Sequence, residues 1–488
     1  MSCHCLTNVI VKTGGELYSG PIGKLLDEIL ENNKDKIITI GKDSVVLDLV
    51  EDCEIIGVSN EEKTSWKRIS QISRHPANGG MVKVTTMSGK TTTATLTHSF
   101  LKRTTKGIDP VLGSDLKLGD RIPVVKDIPE HKDALLFKQI GEFGNIPLTR
   151  DFGWLCGAYM ADGCSNDSRI QISKIIPEYR DKIKEVVEMI FEIPVKYAEH
   201  ERLKKFTNCE RVYKGGVSSF NSKILSQFFT ENFGENSHKK SVPGWVFFSN
   251  TEFIAGFLGG YFDGDGSANC QIGKQMIRNG SVSERLTSDV IILLAYVGIF
   301  ASKCIENPKC IKVPFHTIQI SKKYAEIFKN KIGFIVKDKA DNLDKIIEYI
   351  NRENKVDEKE YIDKIPELGN IIDDISRALK LPHTHYKKLE SIGRRTLIKN
   401  IKVFEEANLI KKNEKVTENI EILKQAAYSN VVWDKIVKLE YLDDPKEYVY
   451  DFTVPGNDSF MVDTGILVHN TLNTSMEGLK SSRDIRKG

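Results

Sequence analysis

Two groups near opposite ends of this 488-residue chain have the chemistry to cut and rejoin a polypeptide. Cys5 opens the run Cys5-Leu6-Thr7-Asn8, and His469-Asn470-Thr471 stands near the end. A thiol, with a pKa near about 8.5, is a good nucleophile once a base takes its proton. The carbonyl within reach of Cys5 is that of His4, and attack there turns an amide into a thioester. Thr471 is placed to take the acyl group next. Asn470 can then attack its own backbone carbonyl through its side-chain amide, with His469 beside it to move protons. The word Thr95-Leu96-Thr97-His98 supplies two more parts. His98 can protonate the leaving amide nitrogen, and Thr95 can donate a hydrogen bond that polarises the bond.

Each word is common alone, and a lone Thr-x-x-His is usually structural. Their joint occurrence, each on a β-type segment, is rare. Together with Val449-Tyr450-Asp451-Phe452-Thr453-Val454 and the ending Gly465-Ile466-Leu467-Val468-His469-Asn470, they resemble an intein. The resemblance implies an all-β, horseshoe-shaped Hint splicing fold that needs no cofactor, with Asp451 tuning the Cys5 thiol and the transfer step. Its partners would be the flanking segments of a host protein, 1–4 and 471–488. One departure is that no histidine stands near Asp458 or Ser459, where many inteins carry one.

A second signal is a repeated word. Leu155-Cys156-Gly157-Ala158-Tyr159-Met160-Ala161-Asp162-Gly163 is matched by Leu258-Gly259-Gly260-Tyr261-Phe262-Asp263-Gly264-Asp265-Gly266. Gly157 and Ala161 share a helix face, as do Gly260 and Gly264, so two helices can approach backbone to backbone. Each helix ends in Asp-Gly, with the glycine suited to a left-handed cap. A carboxylate at a helix C-terminus opposes the macrodipole, so two such residues side by side call for a compensating cation. Repulsion between Asp162 and Asp265 favours a hard ion such as Mg²⁺.

These words resemble the LAGLIDADG signature of homing endonucleases. The resemblance implies two pseudo-symmetric αββαββα halves whose sheets saddle double-stranded DNA. Asp162 and Asp265 would then be the metal-binding, strand-cutting carboxylates. Met160 stands where Asp263 keeps an acidic residue in the second copy. Lys240-Ser241-Val242-Pro243 is similar to the family's Lys-x-Ile-Pro word, which makes Lys240 a candidate for steadying the phosphate. The strands Arg169–Lys174 and Cys270–Gln275 mix polar and apolar residues, so Arg169, Gln171, Lys174, Gln271 and Lys274 are candidates for reading bases. A basic stretch holds Lys387, Lys388, Arg394, Arg395 and Lys399. It falls where some archaeal-type inteins carry a "stirrup" domain, and Leu379–Thr384 is similar to that domain, so these five are candidates for phosphate contacts. The alternative is a splicing-competent intein whose endonuclease has decayed to a DNA-binding module.

The elements that must position these groups read as a split β domain with two insertions. Residues 5–125 are rich in short β-branched runs separated by turn signals. Residues 126–335 alternate helical stretches such as Ile176–Phe191 with half-polar strands. Residues 336–425 read as helical and charged, with Lys337–Asp341 as a linker. Residues 426–470 return to strand. The expected fold class is therefore multidomain: a split all-β splicing domain, an inserted α+β endonuclease and a small helical DNA-binding subdomain.

An apolar fraction of 40% and a charged fraction of 28% are those of a soluble globular protein. A net charge of +3 leaves any nucleic-acid role to local patches. The nine cysteines form no disulfide pattern and suit a reducing, cytoplasmic compartment. Cys3 and Cys5 flank His4, but no matching second pair completes a zinc site. The run Val290–Val297 is short of the roughly 20 residues of a membrane span and reads as a core helix. A monomer without membrane contact is expected.

Overall fold

The computed structural model describes residues 2–40, 43–77, 79–105, 107–206, 209–234, 240–307, 313–353, 362–382, 390–456 and 458–469. Asn470, Thr471, Lys387 and Lys388 lie outside them. The chain divides into two compact units, Met1–Pro129 with Asp357–Gly488, and Glu130–Val356.

The first unit is built on a long antiparallel sheet whose strands come from both ends of the chain. Tyr448–Thr453 pairs with Thr64–Pro76 on one side and with the two-residue strand Cys3–His4 on the other. Cys3–His4 in turn pairs with Thr91–Thr95. Val431–Leu442 lies between Arg121–Val125 and Met81–Thr86. The last described strand, Ile466–His469, pairs with Ser99–Thr104 and with Ser459–Val462. Arg121–Val125, Ser459–Val462 and Ile466–His469 are almost wholly buried, which leaves them a near-continuous apolar pattern rather than clean alternation. One element departs from the all-strand expectation. Ile22–Asn32 is a helix, with Ile22, Leu25, Leu26 and Leu30 forming its buried stripe.

Residues from 362 to 427 add a two-stranded antiparallel ribbon, Lys364–Pro366 with Ser391–Gly393, and the helices Gly369–Leu379, Arg394–Lys411 and Glu414–Ala427. Arg394 anchors this module rather than facing a phosphate. It is 6% exposed, pairs with Asp363 at 3.0 Å, and donates to the carbonyls of Ala426, Ala427 and Val431. Those carbonyls end one helix and open the next strand, so the guanidinium satisfies groups that would otherwise be buried unpaired.

The second unit repeats one pattern twice. Helix Arg150–Asp162, two strands, helix Pro177–Phe191, two strands and helix Lys223–Phe233 make the first copy. Helix Thr251–Asp265, two strands, helix Glu284–Tyr296, two strands and helix Ala325–Lys331 make the second. Each copy forms a four-stranded antiparallel sheet with the same order, first, second, fourth, third. The first helices even share a cap: Thr149 and Asn250 each accept from the backbone N–H three residues on, at 3.2 and 2.9 Å.

Three expectations change here. Lys337–Asp341 is no linker but the first turns of helix Lys337–Glu353, which packs within the second unit. The unit therefore ends at Val356 rather than at 335. Cys270–Gln275 is not a strand. It is the turn between Ser267–Asn269 and Met276–Ser281, made by Asn269 Oδ1 accepting from Gln271 N and by Gly273 at φ +80°.

Candidate functional site

The two acidic helices meet along glycines. A methyl on Gly153 would land on the carbonyl oxygen of Phe253, and one on Gly157 on that of Phe257. In return, Gly256 faces the carbonyl of Arg150, and Gly260 that of Trp154. Four small residues thus bring the two backbones into contact and set Asp162 near Asp265. Gly260→Ala should destabilise the second unit by about 3 kcal/mol, because the added methyl meets rigid backbone. Hydrogen exchange along Thr251–Asp265 would record the loss.

The terminal glycines work differently from the expectation. Gly163 and Gly266 are not left-handed; their φ values are −89° and −79°. A Cβ at either would collide with the carbonyl of Tyr159 or Phe262, one turn back. Close approach, not handedness, excludes a side chain.

Three ammonium groups balance the two carboxylates. Lys174 Nζ lies 2.8 Å from Asp162 Oδ2 and 2.9 Å from the carbonyl of Gly264, so it bridges the two copies. Lys240 donates to the carbonyls of Tyr159, Met160 and Gly163 at 3.2, 2.8 and 3.1 Å. Lys339 does the same at the other helix end, reaching Phe262, Asp263 and Gly264 at 3.0, 2.6 and 3.1 Å. Each opposes the negative end of a helix dipole. Burial pulls the Lys339 ammonium down to about 8 and lowers Lys240 as well. Lys240 is therefore a buried closure of the first helix, not a group pointing at a phosphate. The Asp265 side chain keeps contact with solvent, yet the surrounding protein, and then the charge of Asp162, raise its pKa to about 6. Asp263 serves packing instead, accepting from Trp154 Nε1 at 2.8 Å and from the backbone of Ile335 and Val336.

Of the candidates for reading bases, Arg169 is exposed and touches Ser219 Oγ, and Gln171 is half-buried on the same strand. Gln271 and Lys274 are exposed on the hairpin turn. Lys174 is committed to Asp162. Arg395 is half-buried and Lys399 exposed on helix Arg394–Lys411.

The first unit gathers the residues of the chain ends. Ser2 N–H donates to Thr95 Oγ1 at 3.1 Å, and Thr95 N–H to the carbonyl of Ser2 at 3.0 Å. Thr95 therefore clamps the segment that leads into Cys5. The carbonyl of His4, the one Cys5 would attack, accepts from Thr7 N–H at 2.9 Å. That donor, invisible in the sequence, is aimed where charge would develop. The Cys5 thiol is half-buried, 3.7 Å from His4 Nδ1 and 3.4 Å from Glu447 Oε2. Burial first, then Glu447, raises its pKa. Among the described residues it is Glu447, not Asp451, that contacts this thiol. Asp451 is fully buried one strand away and held well above the usual carboxylate range by burial. Its Oδ1 accepts from Phe452 N–H at 2.9 Å.

His98 is fully buried, edge-on to Phe100, and neither ring nitrogen has a hydrogen-bond partner among the described residues. Burial, helped by the charges of the N-terminus and of His469, drives its pKa down to about 3. The imidazole is thus neutral. His469 is half-buried and also shifted down by burial. The turn before its strand is fixed by Asn8 N–H to Asp463 Oδ1 at 2.9 Å and by Lys90 Nζ to the carbonyl of Thr464 at 2.9 Å. Because the unfolded chain protonates His98 first as pH falls from 6.5, stability should drop on the order of 4 kcal/mol toward pH 3. In His98→Gln the acid limb of a pH-resolved urea titration should flatten.

The family of this chain follows from its relatives. The intein splicing domain family model matches residues 24–470. The chain belongs to the intein splicing domain family. DNA-directed RNA polymerase subunit Rpo1C of Methanocaldococcus jannaschii is 33% identical over 97% of this chain and 55% of its own length. Replication factor C small subunit of the same organism is 23% identical over 86% of this chain and 22% of its own. The chain thus spans about half, or less, of these relatives. Among solved structures, the transcription factor IIB Mvu mini-intein is 25% identical, covering 26% of this chain and 69% of its own, with a TM-score of 0.24. I-DmoI in complex with DNA and Mn is 12% identical, covering 38% of this chain and 97% of its own, with a TM-score of 0.27.

Proposed function

We propose that this intein combines two chemistries: excision of residues 5–470 with joining of its flanks, and site-specific cutting of double-stranded DNA by the second unit. The first unit is read as a split Hint domain and the second as two LAGLIDADG halves in a monomer. The observation that carries the first chemistry is the interleaving of strands from both chain ends around Cys5, Thr95, His98 and His469. In the first step Cys5 Sγ bonds to the carbonyl carbon of His4 while the bond from that carbon to Cys5 N breaks. The thiol proton ends on the freed amine. Thr7 N–H holds the oxyanion, Thr95 fixes the upstream segment, and neutral His98 donates a hydrogen bond from its ring N–H toward the leaving nitrogen while the thiol proton moves there. The Thr471 hydroxyl then takes the acyl group. Asn470 closes on its own carbonyl, with His469 as proton carrier, and the ester moves to the freed amine. Asp451, whose pKa burial raises, is suited to donate a proton during transfer.

The second chemistry rests on Asp162 and Asp265. They are hard oxygen donors of like charge at one point, and the crowding of Asp265 by Asp162 supports a cation there. A divalent ion such as Mg²⁺ fits this set, and when bound it supplies charge neutralisation and an activated water. The charges of Lys174, Lys240 and Lys339 oppose the rise in the Asp265 pKa, and Lys174, paired with Asp162, is the one placed to turn toward a phosphate. Exposed Arg169, Lys274 and Lys399 are suited to backbone contacts. The natural target would be a host gene lacking the insert, with an RNA polymerase subunit gene the first to test. Purified protein and that DNA with Mg²⁺ should give two fragments, and EDTA should prevent them. Intact DNA at all metal concentrations would reduce the second unit to a binding module.

A further inference from the structure

The two residues before His4 are enclosed by the first unit. Ser2 and Cys3 are each 0% exposed, although both stand outside the segment 5–470. Backbone pairing accounts for part of this. Cys3–His4 fills the slot between Thr91–Thr95 and Tyr448–Thr453, as an added strand does. Side chains account for the rest. Ser2 Oγ lies 2.7 Å from His75 Nε2, and His75 Nδ1 lies 2.8 Å from the carbonyl oxygen of Pro76. A carbonyl only accepts, so Nδ1 carries the ring proton and Nε2 is the acceptor. Burial, and then the charge of the N-terminus, lowers the His75 pKa, so the ring is neutral at pH 7. The Ser2 hydroxyl is therefore the donor, and a side chain without a donor could not make this bond. His75 is placed by sheet register, since Val449 lies opposite both His75 and His4. Burial, with Asp451 and Asp463 adding to it, raises the Cys3 thiol pKa well above its usual value, so the space at that position suits a small neutral side chain.

We propose that the first unit selects its upstream flank by side chain as well as by strand pairing, and that His75 is the residue that selects a hydroxyl at position 2. This selection rests on the splicing reading, since residues 2–4 are flank only if Cys5 is the nucleophile. The Ser2–His75 bond and the Thr95 clamp hold the segment from two strands, Thr64–Pro76 and Thr91–Thr95. Together they fix where the His4 carbonyl stands relative to the Cys5 thiol. Displacing a reacting carbonyl by about 1 Å can cost about 100-fold in rate, so an anchor two residues away acts on the first step. Ser2→Ala takes away one such anchor, and one neutral hydrogen bond is worth about tenfold at most. A flank with a hydroxyl at position 2 and a small neutral residue at position 3 is accepted. An apolar residue at position 2 slows the first step while the sulfur, the carbonyl and the proton carriers stay the same. His75 is thus a specificity residue that grips the flank and takes no part in bond making.

The test uses the full chain with Asn470→Ala and a tag ahead of residue 1, so that the first step alone is read, as release of the tag by added thiol. Ser2→Ala and His75→Ala should each slow release by about fivefold, and the double variant should be no slower than either alone. His75→Gln, whose amide oxygen can accept from the hydroxyl, should keep the preference for Ser2 over alanine. With residue 2 randomised, the released tags should be enriched in hydroxyl residues, and that enrichment should vanish in the His75→Ala background. A residue that only stabilised the fold would leave the enrichment in place. Full additivity of the two substitutions, or the same enrichment in both backgrounds, would overturn the selection. The ¹⁵N resonances of the His75 ring give a readout that needs no reaction: Ser2→Ala should shift Nε2, and an unmoved Nε2 would overturn the contact. If the chain with native Ser2 and His75 released no tag at all, the splicing reading would fail, and the Nε2 shift would still decide whether Ser2 and His75 meet.

Discussion

Asp162→Asn or Asp265→Asn is expected to lower double-strand cleavage by roughly 1,000-fold or more, because each removes one of the two carboxylates proposed to hold the metal and so to stabilise the developing phosphate charge. The side chain keeps its size, so the helix contact through Gly157 and Gly260 survives. Splicing should proceed at the parental rate, since both residues lie in the second unit. The measurement is paired: fragment yield from a plasmid carrying the target, and flank joining on a gel, from one preparation. Cleavage near the parental rate in both variants would remove these carboxylates from the chemistry.

The other large effect is at Cys5. Cys5→Ala removes the sulfur placed to attack the His4 carbonyl, and with it every later step except independent attack by Asn470. Adding Asn470→Ala closes that route, so the double variant should persist as one full-length species. DNA cleavage by this variant should be undiminished. The two experiments are reciprocal, and together they separate the chemistries.

Much of this arrangement is legible in the residue order. The acidic words, their glycine faces and the helix Pro177–Phe191 follow from local spacing, which a helix converts directly into neighbours. The return of residues 431–469 to strand is equally local. What local spacing cannot give is register across long separations. Glu447 meets Cys5 only because His4 pairs with Val449. Lys174 meets the Gly264 carbonyl only because two helices touch. Arg394 sits in a basic run that reads as a phosphate-contacting face, yet a buried Asp363 and several orphan carbonyls draw it inward. Gly163 and Gly266 show a related limit: both residues are needed, but for room beside a carbonyl and not for a left-handed turn.

The most direct measurement is the intact mass of the products when the chain is expressed between two unrelated tags. Joined flanks should appear as one species in which residue 4 is bonded to residue 471, together with a free segment spanning 5–470 and ending in a cyclised Asn470. A single unprocessed mass, with Cys5 and Asn470 both intact, would contradict the claim that the two ends share one reaction site.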